Sequence, residues 1–240
     1  MPQLQRQALA VHQVTFPPTE DVGAPRSAGG GGTRGGGGSV EACVKSKTPP
    51  LTVVAPNNNL WTTVSATPTL FWYVPPNNAE SANFEIYDSF DDDNVALYQT
   101  NLPLKGTGGV VKLSLPPTVS LEPGKTYRWR LRLVCDTEGG GLDQTVGGVI
   151  KRTELSSAQK SQVATARQPL QKVEAYAKAG VWQETLMTLA QLRHDRPNDR
   201  TIEKAWKELL NSVGLNAIAD QPLVDCCKPL TDPTELNNKQ

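Results

Sequence analysis

Arg128, Arg130 and Arg132 fall on alternate positions, separated by Trp129 and Leu131. At that spacing three guanidinium groups stand in a row on one face of a strand, with Lys151 and Arg152 as candidate neighbours. Such a stripe can grip carboxylates or sulfated glycans through paired hydrogen bonds. The plainer expectation is a solvated sheet face, or one covered by helices through ion pairs with Glu. Asp88, Asp91, Asp92 and Asp93 form a second cluster. Clustered carboxylates can hold calcium, but the EF-hand spacing and its closing Glu are missing, so a solvated turn is expected. Trp61, Phe71, Trp72 and Tyr73 can in principle stack on sugars, yet at least every second one must point into a core.

Little else in the chain could do chemistry. The two histidines are His12 and His194. His194 and Asp195 lie near a helix end before Pro197, where a cation suits the dipole, and no nucleophile is paired with them. There is no G-x-S-x-G and no H-E-x-x-H, so no enzyme, no metal site and no cofactor is expected. Gly29–Gly32 and Gly35–Gly38 lack the Gly-Lys-Ser/Thr ending and preceding strand of a phosphate loop, and read as a flexible linker.

Four cysteines occur, Cys43, Cys135, Cys226 and Cys227. Adjacent Cys226 and Cys227 lack the C-x-x-C spacing of a zinc site. Even parity in a loop-rich β protein favours disulfides in an oxidising compartment. Neighbouring cysteines rarely bond each other because the small ring strains the peptide. The expectation is that Cys226 and Cys227 each reach back, one to Cys43 and one to Cys135, stapling a helical part to a β part. Which goes to which stays open.

The 240 residues suffice for one sizeable core or two small ones, and 24 basic residues balance 24 acidic ones. That balance argues against nucleic acid as a partner. No run of 18 apolar residues is present, so no membrane span is expected. Met1–Arg6 is polar and lacks the apolar region of a signal peptide, whereas Ala8-Leu-Ala10 has the form of a cleavage site. A start placed too far downstream would leave such a pattern.

The elements that must position these groups follow from periodicity. Residues 1–48, rich in Gly and Pro, are expected to be disordered. Residues 49–154 should form a β-sandwich of seven short antiparallel strands. These are Leu51–Ala55, Thr69–Val74, Ala82–Asp88, Val95–Gln99, Val110–Leu115, a central strand within Gly124–Asp136, and Gln144–Arg152. The turn Leu121-x-Pro-Gly-x-x-Tyr127 resembles the corner by which immunoglobulin-like and fibronectin-like domains enter a central strand, its Tyr tied back to the turn. Tyr127 and Cys135 are eight apart rather than two, which departs from a true immunoglobulin domain.

Residues 155–227 change to a helical period, with Ser156 or Ser157 and Asn198 or Asp199 as N-caps. Tyr176–Pro197 resembles one tetratricopeptide unit: Gly180 at the turn, Trp182 opening the second helix, Leu189 facing the core and Pro197 ending it. A lone repeat builds no solenoid, so these helices must bury their apolar faces on each other and on the sandwich. Residues 228–240 form a polar tail, expected to be disordered.

Several pieces in order carry a family resemblance. They are Arg26-Ser-Ala-Gly-Gly-Gly with Arg34-Gly and a Cys; Pro68-Thr-Leu-Phe-Trp-Tyr-Val-Pro75; Pro123-Gly-Lys-x-Tyr127-Arg-Trp; Cys135-Asp136; Ala179-Gly-Val-Trp182; and Pro222-Leu-x-x-Cys-Cys227. Over roughly residues 25–227 the chain resembles a mostly cyanobacterial family, domain of unknown function 928. The resemblance implies export, a sandwich followed by helices, and no assigned activity or catalytic residues. The function expected is a non-catalytic secreted or periplasmic module that binds a protein partner. The alternative is a domain that binds carbohydrate or another cell-envelope polymer.

Overall fold

A computed structural model of the chain describes residues 13–18, 44, 48–79, 81–88, 95–103, 106, 108–135 and 143–224. In chain order the strands are β1 (Thr52–Val53), β2 (Leu60–Thr63), β3 (Thr69–Val74), β4 (Ser81–Asp88), β5 (Tyr98–Pro103), β6 (Gly109–Ser114), β7 (Thr126–Val134) and β8 (Gln144–Arg152). Four helices follow: α1 (Ser157–Thr165), α2 (Pro169–Lys178), α3 (Trp182–Asp195) and α4 (Arg200–Ser212). A short 3-10 turn spans Asn216–Ile218. The fold class is α+β.

The strands form two sheets, ordered β1-β3-β6 and β2-β8-β7-β4-β5. Trp72 of β3 meets Trp61, Trp129 and Phe84 of the larger sheet at ring-centroid distances of 5.4, 5.7 and 5.4 Å, so the sheets share one aromatic core. β7 is the middle strand of five. Tyr127, Trp129, Leu131 and Leu133 point into the core, and Arg128, Arg130 and Arg132 point to solvent. The period of two decides this: one face can be buried only if the other is not. Tyr127 is tied to the preceding turn, its hydroxyl accepting a 2.8 Å hydrogen bond from the Glu122 N–H.

The structure differs from the sequence reading in three places. First, β2 makes an eighth strand, and it pairs parallel with β8, so the larger sheet is mixed rather than antiparallel throughout. Asn59 makes this pairing possible. It holds a left-handed φ of +52°, which Asn tolerates, and its amide donates to the Gly147 carbonyl at 2.8 Å. Beside it, Trp129 stacks on Trp61 at 4.2 Å, and Gly148 leaves room for the stack. A Cβ on Gly148 would sit 2.8 Å from Trp129 Cζ2 and 3.0 Å from Asn59 Oδ1.

Second, β5 starts at Tyr98 rather than Val95. Val95 and Leu97 are exposed and precede the strand. Third, Val14 and Phe16, inside the segment expected to be disordered, are buried. The Phe16 N–H donates to Ser212 Oγ at 3.0 Å, and its ring meets Trp182 edge-on at 5.0 Å. Gly- and Pro-rich surroundings hide these two apolar residues from a compositional reading. Trp61, Phe71, Trp72 and Tyr73 take the core role expected of them, and the burial extends to all four rather than to every second one, so none can serve as a sugar platform.

The helices begin where the capping residues place them. Ser156 accepts from the Gln159 N–H, with Gln159 returning the bond, and Asp199 accepts from Thr201 and Ile202. Gly180 turns the chain between α2 and α3 with φ +72°, a conformation that costs Gly nothing. α3 docks on the β2 edge of the sandwich rather than on the arginine face. The Thr62 hydroxyl donates to the Gly180 carbonyl at 2.7 Å and accepts from the Trp182 N–H at 2.9 Å.

Candidate binding face of the five-stranded sheet

The solvent side of the larger sheet is set by register. On β4, Asn83, Glu85 and Tyr87 lie opposite Arg132, Arg130 and Arg128 of β7. On β8, Thr145, Gly147 and Val149 flank the same three arginines. Alternation on β4 buries Phe84 and Ile86, which sends Glu85 and Tyr87 outward to meet the stripe.

The three arginines are not equivalent. Arg130 donates from Nε at 2.8 Å and Nη2 at 2.6 Å to one Glu85 oxygen, and Nη2 reaches the Tyr87 hydroxyl at 3.3 Å. Burial opposes the charge on Glu85. Hydrogen bonds to Arg130 and Tyr87, with the fields of Arg130 and Arg132, outweigh it and hold the carboxyl below its ordinary pKa. The same pair raises the Arg130 pKa, chiefly through the Glu85 hydrogen bond. Burial, and then Glu85, push the Tyr87 phenol up, so it stays protonated. Arg132 lies 3.7 Å from Asp143. The Arg128 side chain has no ion pair or hydrogen bond among the described residues. With Tyr87, Trp129 and Arg130 it lines an open depression of about 410 Å³.

One guanidinium without an ion pair among the described residues thus stands beside a phenol and a second guanidinium held in place, the donor set that suits a carboxylate or sulfate. Lys151 lies at the β2 end of the same exposed face, opposite Thr126. Arg152, read from the sequence as a possible neighbour, turns away. Its guanidinium donates to the carbonyls of Val64 and Leu121 and ties the sheet end to two loops.

The other sequence candidates are dispersed. Asp88 lies 3.7 Å from Lys125, while Asp91, Asp92 and Asp93 fall outside the described residues. Among the described residues no group of three or more His, Cys, Asp and Glu side chains could hold a metal ion. His194 lies in the last turn of α3, and Asp195 accepts from Gln191 at 2.8 Å. Cys135, just beyond β7, is disulfide-bonded. Cys43, Cys226 and Cys227 lie outside the described residues, so the pairing expected for them does too.

Two features escaped the sequence reading. Glu85 and Tyr87 were legible only through the β4–β7 register. The second is a buried acid at the docking site. Glu184 Oε1 accepts from the Thr63 hydroxyl at 2.7 Å and from the Val64 and Ser65 N–H groups at 3.1 Å each, while Oε2 has no partner. Burial pushes its pKa up, and these hydrogen bonds only partly offset it. Where α1 meets α2 there is an open groove of about 350 Å³. Gln162, Thr165, Gln171, Glu174 and Lys178 make it polar rather than apolar.

Among the described residues no helix is long and apolar enough to cross a membrane. No curated protein matches the chain. The model of the family described as Domain of Unknown Function (DUF928) matches residues 29–223, which cover the sandwich and all four helices, and the chain belongs to that family.

Proposed function

We propose that the protein is a non-catalytic, secreted or periplasmic interaction module whose five-stranded sheet holds carboxylates of a protein partner. The observation that carries this reading is Arg128: it has no ion pair among the described residues and lies beside Tyr87 and the anchored Arg130 on an open depression. An Arg fork presented without a partner matches a carboxylate bidentately, and its neighbours are already fixed.

An oxidising compartment is supported by the disulfide at Cys135. The pairing of Cys43 and Cys135 with Cys226 and Cys227 is supported by the chain beside them. Val44 bridges Asn77 and Leu223 bridges Val110, while Val134, next to Cys135, lies opposite Ser81. An immunoglobulin- or fibronectin-like descent of the sandwich rests on the Tyr127–Glu122 corner, and parallel β2 departs from it. A tetratricopeptide-like origin of α2–α3 rests on Gly180, Trp182 and buried Leu189.

A second reading, an acidic envelope polysaccharide on the same face, draws on the Tyr87 ring beside Arg128. Calorimetry with a poly-Glu peptide and with a sulfated glycan, on the wild type and Arg128→Glu, separates them. We expect poly-Glu binding that Arg128→Glu abolishes. Binding of the glycan alone, lost in the same variant, moves the function to the second reading. No binding of either, or binding indifferent to Arg128, removes both.

A further inference from the structure

The two sheets present four edge strands, and three of them are blunted. At the β6 edge the Val110 N–H donates to the Pro222 carbonyl at 2.8 Å, and the Val224 N–H donates to the Val110 carbonyl at 2.9 Å. The β2 edge is covered by α3 through Thr62 and Glu184. β1 is only two residues long. β5 is different. Its six residues carry no charge, and among the described residues it pairs with β4 alone. The segment leading into it holds the exposed Val95 and Leu97, at 69% and 50% of their full exposure. Natural edges are usually protected by charge, Pro, brevity, a bulge or a cover, because unpaired N–H and C=O groups template another strand, and of these β5 has Pro103, at its last position.

We infer that β5 pairs antiparallel with β5 of a second copy of this chain, about a two-fold axis through Thr100. The sequence of the strand selects this occupant. With Thr100 on the axis, Tyr98 faces Leu102 of the second copy and Gln99 faces its Asn101. Leu97 faces its Pro103. Aromatic meets aliphatic on the buried side, amide meets amide on the solvent side, and the exposed Leu97 is covered. No like charges meet. The contact is isologous and therefore closes at a dimer. It joins the two larger sheets and sets their arginine rows five strand spacings apart, about 24 Å, on one continuous face. The dimer contact is independent of the ligand that face takes.

The test is sedimentation equilibrium on the full oxidised chain across a wide concentration range. The wild type should show a concentration-dependent monomer–dimer equilibrium. Gln99→Lys/Asn101→Lys and Gln99→Glu/Asn101→Glu each set like charges opposite one another and should be monomeric. Mixing the two variants should restore a dimer of one copy of each, which a misfolded variant would not do. A wild type that is monomeric throughout overturns the inference. So does a dimer that both variants leave intact, since its contact would lie elsewhere.

Discussion

Trp129 and Trp182 are both buried indoles, and they sit in contrasting surroundings. Trp129 lies in the sandwich core, stacked on Trp61 and edge-on to Trp72, and its Nε1 has no hydrogen-bond partner. Trp182 lies at the joint between sandwich and helices. Its Nε1 donates to the Val54 carbonyl at 2.8 Å, the same oxygen that Trp61 Nε1 reaches at 3.0 Å. Around Trp182 a set of hydrogen bonds joins strand and helix: Thr62 to Gly180, Thr63 to Glu184, and the Val64 and Ser65 N–H groups to the same carboxylate. One region is held by apolar area and shape, the other by apolar packing together with directed hydrogen bonds around one buried acid. The first should respond to volume and hardly to pH. The second should respond to both charge and pH.

The largest effect is expected in the core. Trp129→Ala should cost about 3–5 kcal/mol, since it empties a central site lined by two other indoles and leaves a cavity. A urea midpoint equal to that of the wild type would break the comparison at its apolar end. Phe16→Ala should cost less, about 2–3 kcal/mol, because Phe16 covers Trp182 from outside the two sheets. Its loss should expose the joint to hydrogen exchange before the strands.

Glu184 should account for the pH response of the joint. Its folded pKa is raised above the ordinary value of 4.5, burial being the main cause. A raised carboxyl pKa contributes stability that is fully present below about pH 4.5 and is lost as pH rises through the folded value. Mild acid should therefore tighten the joint. Glu184→Gln keeps an acceptor for Thr63, Val64 and Ser65 without the charge and should flatten that slope. Glu184→Ala should cost about 2–3 kcal/mol by leaving the Val64 N–H and the Thr63 hydroxyl without their acceptor, while the Ser65 N–H keeps Thr63 Oγ1. Urea melts of the three proteins at pH 5 and pH 8 check both statements. Equal slopes for wild type and Glu184→Gln would assign the pH response to other groups.

The same contrast explains what the sequence could reveal. The strand β7 was legible because four apolar residues at a period of two, Tyr127, Trp129, Leu131 and Leu133, admit one orientation. Gly180 was legible, and each cap to within two neighbouring residues, because caps and turns demand particular residue types; the structure selects Ser156 over Ser157 and Asp199 over Asn198. β2 was not. Leu60–Thr63 is four residues long, and its partner β8 lies at the far end of the sandwich sequence, joined through no local turn signal. Glu184 was equally hidden, since a Glu in the first turn of a helix is ordinarily a solvated dipole partner, and only tertiary placement buries it. The arginine row was visible, but which arginine stays unpaired depends on the β4–β7 register, which alternation alone leaves undetermined. Arg152 shows the limit plainly: a charge next to the stripe in sequence binds loop carbonyls on another side.

The smallest effect is expected on the solvent side of β7. Arg130→Ala removes an ion pair with Glu85 in which the Arg side chain is 54% exposed and the Glu 15%. Exposed pairs contribute little, and the cost should be about 0.5 kcal/mol. The pH sign is opposite to that of Glu184. The folded Glu85 pKa is lowered, so its contribution is present above about pH 4.5 and fades as pH falls through the folded value. Arg130→Ala should therefore match the wild type in acid and fall slightly below it at neutral pH. Arg128→Ala, with no ion pair to lose, should match the wild type at both. The two variants also separate stability from recognition: only Arg128→Ala should weaken poly-Glu binding without moving the urea midpoint. If Arg130→Ala is as costly as Glu184→Ala, the sheet face is structural rather than open. If Arg128→Ala is, the depression is part of the core and not a surface for a partner.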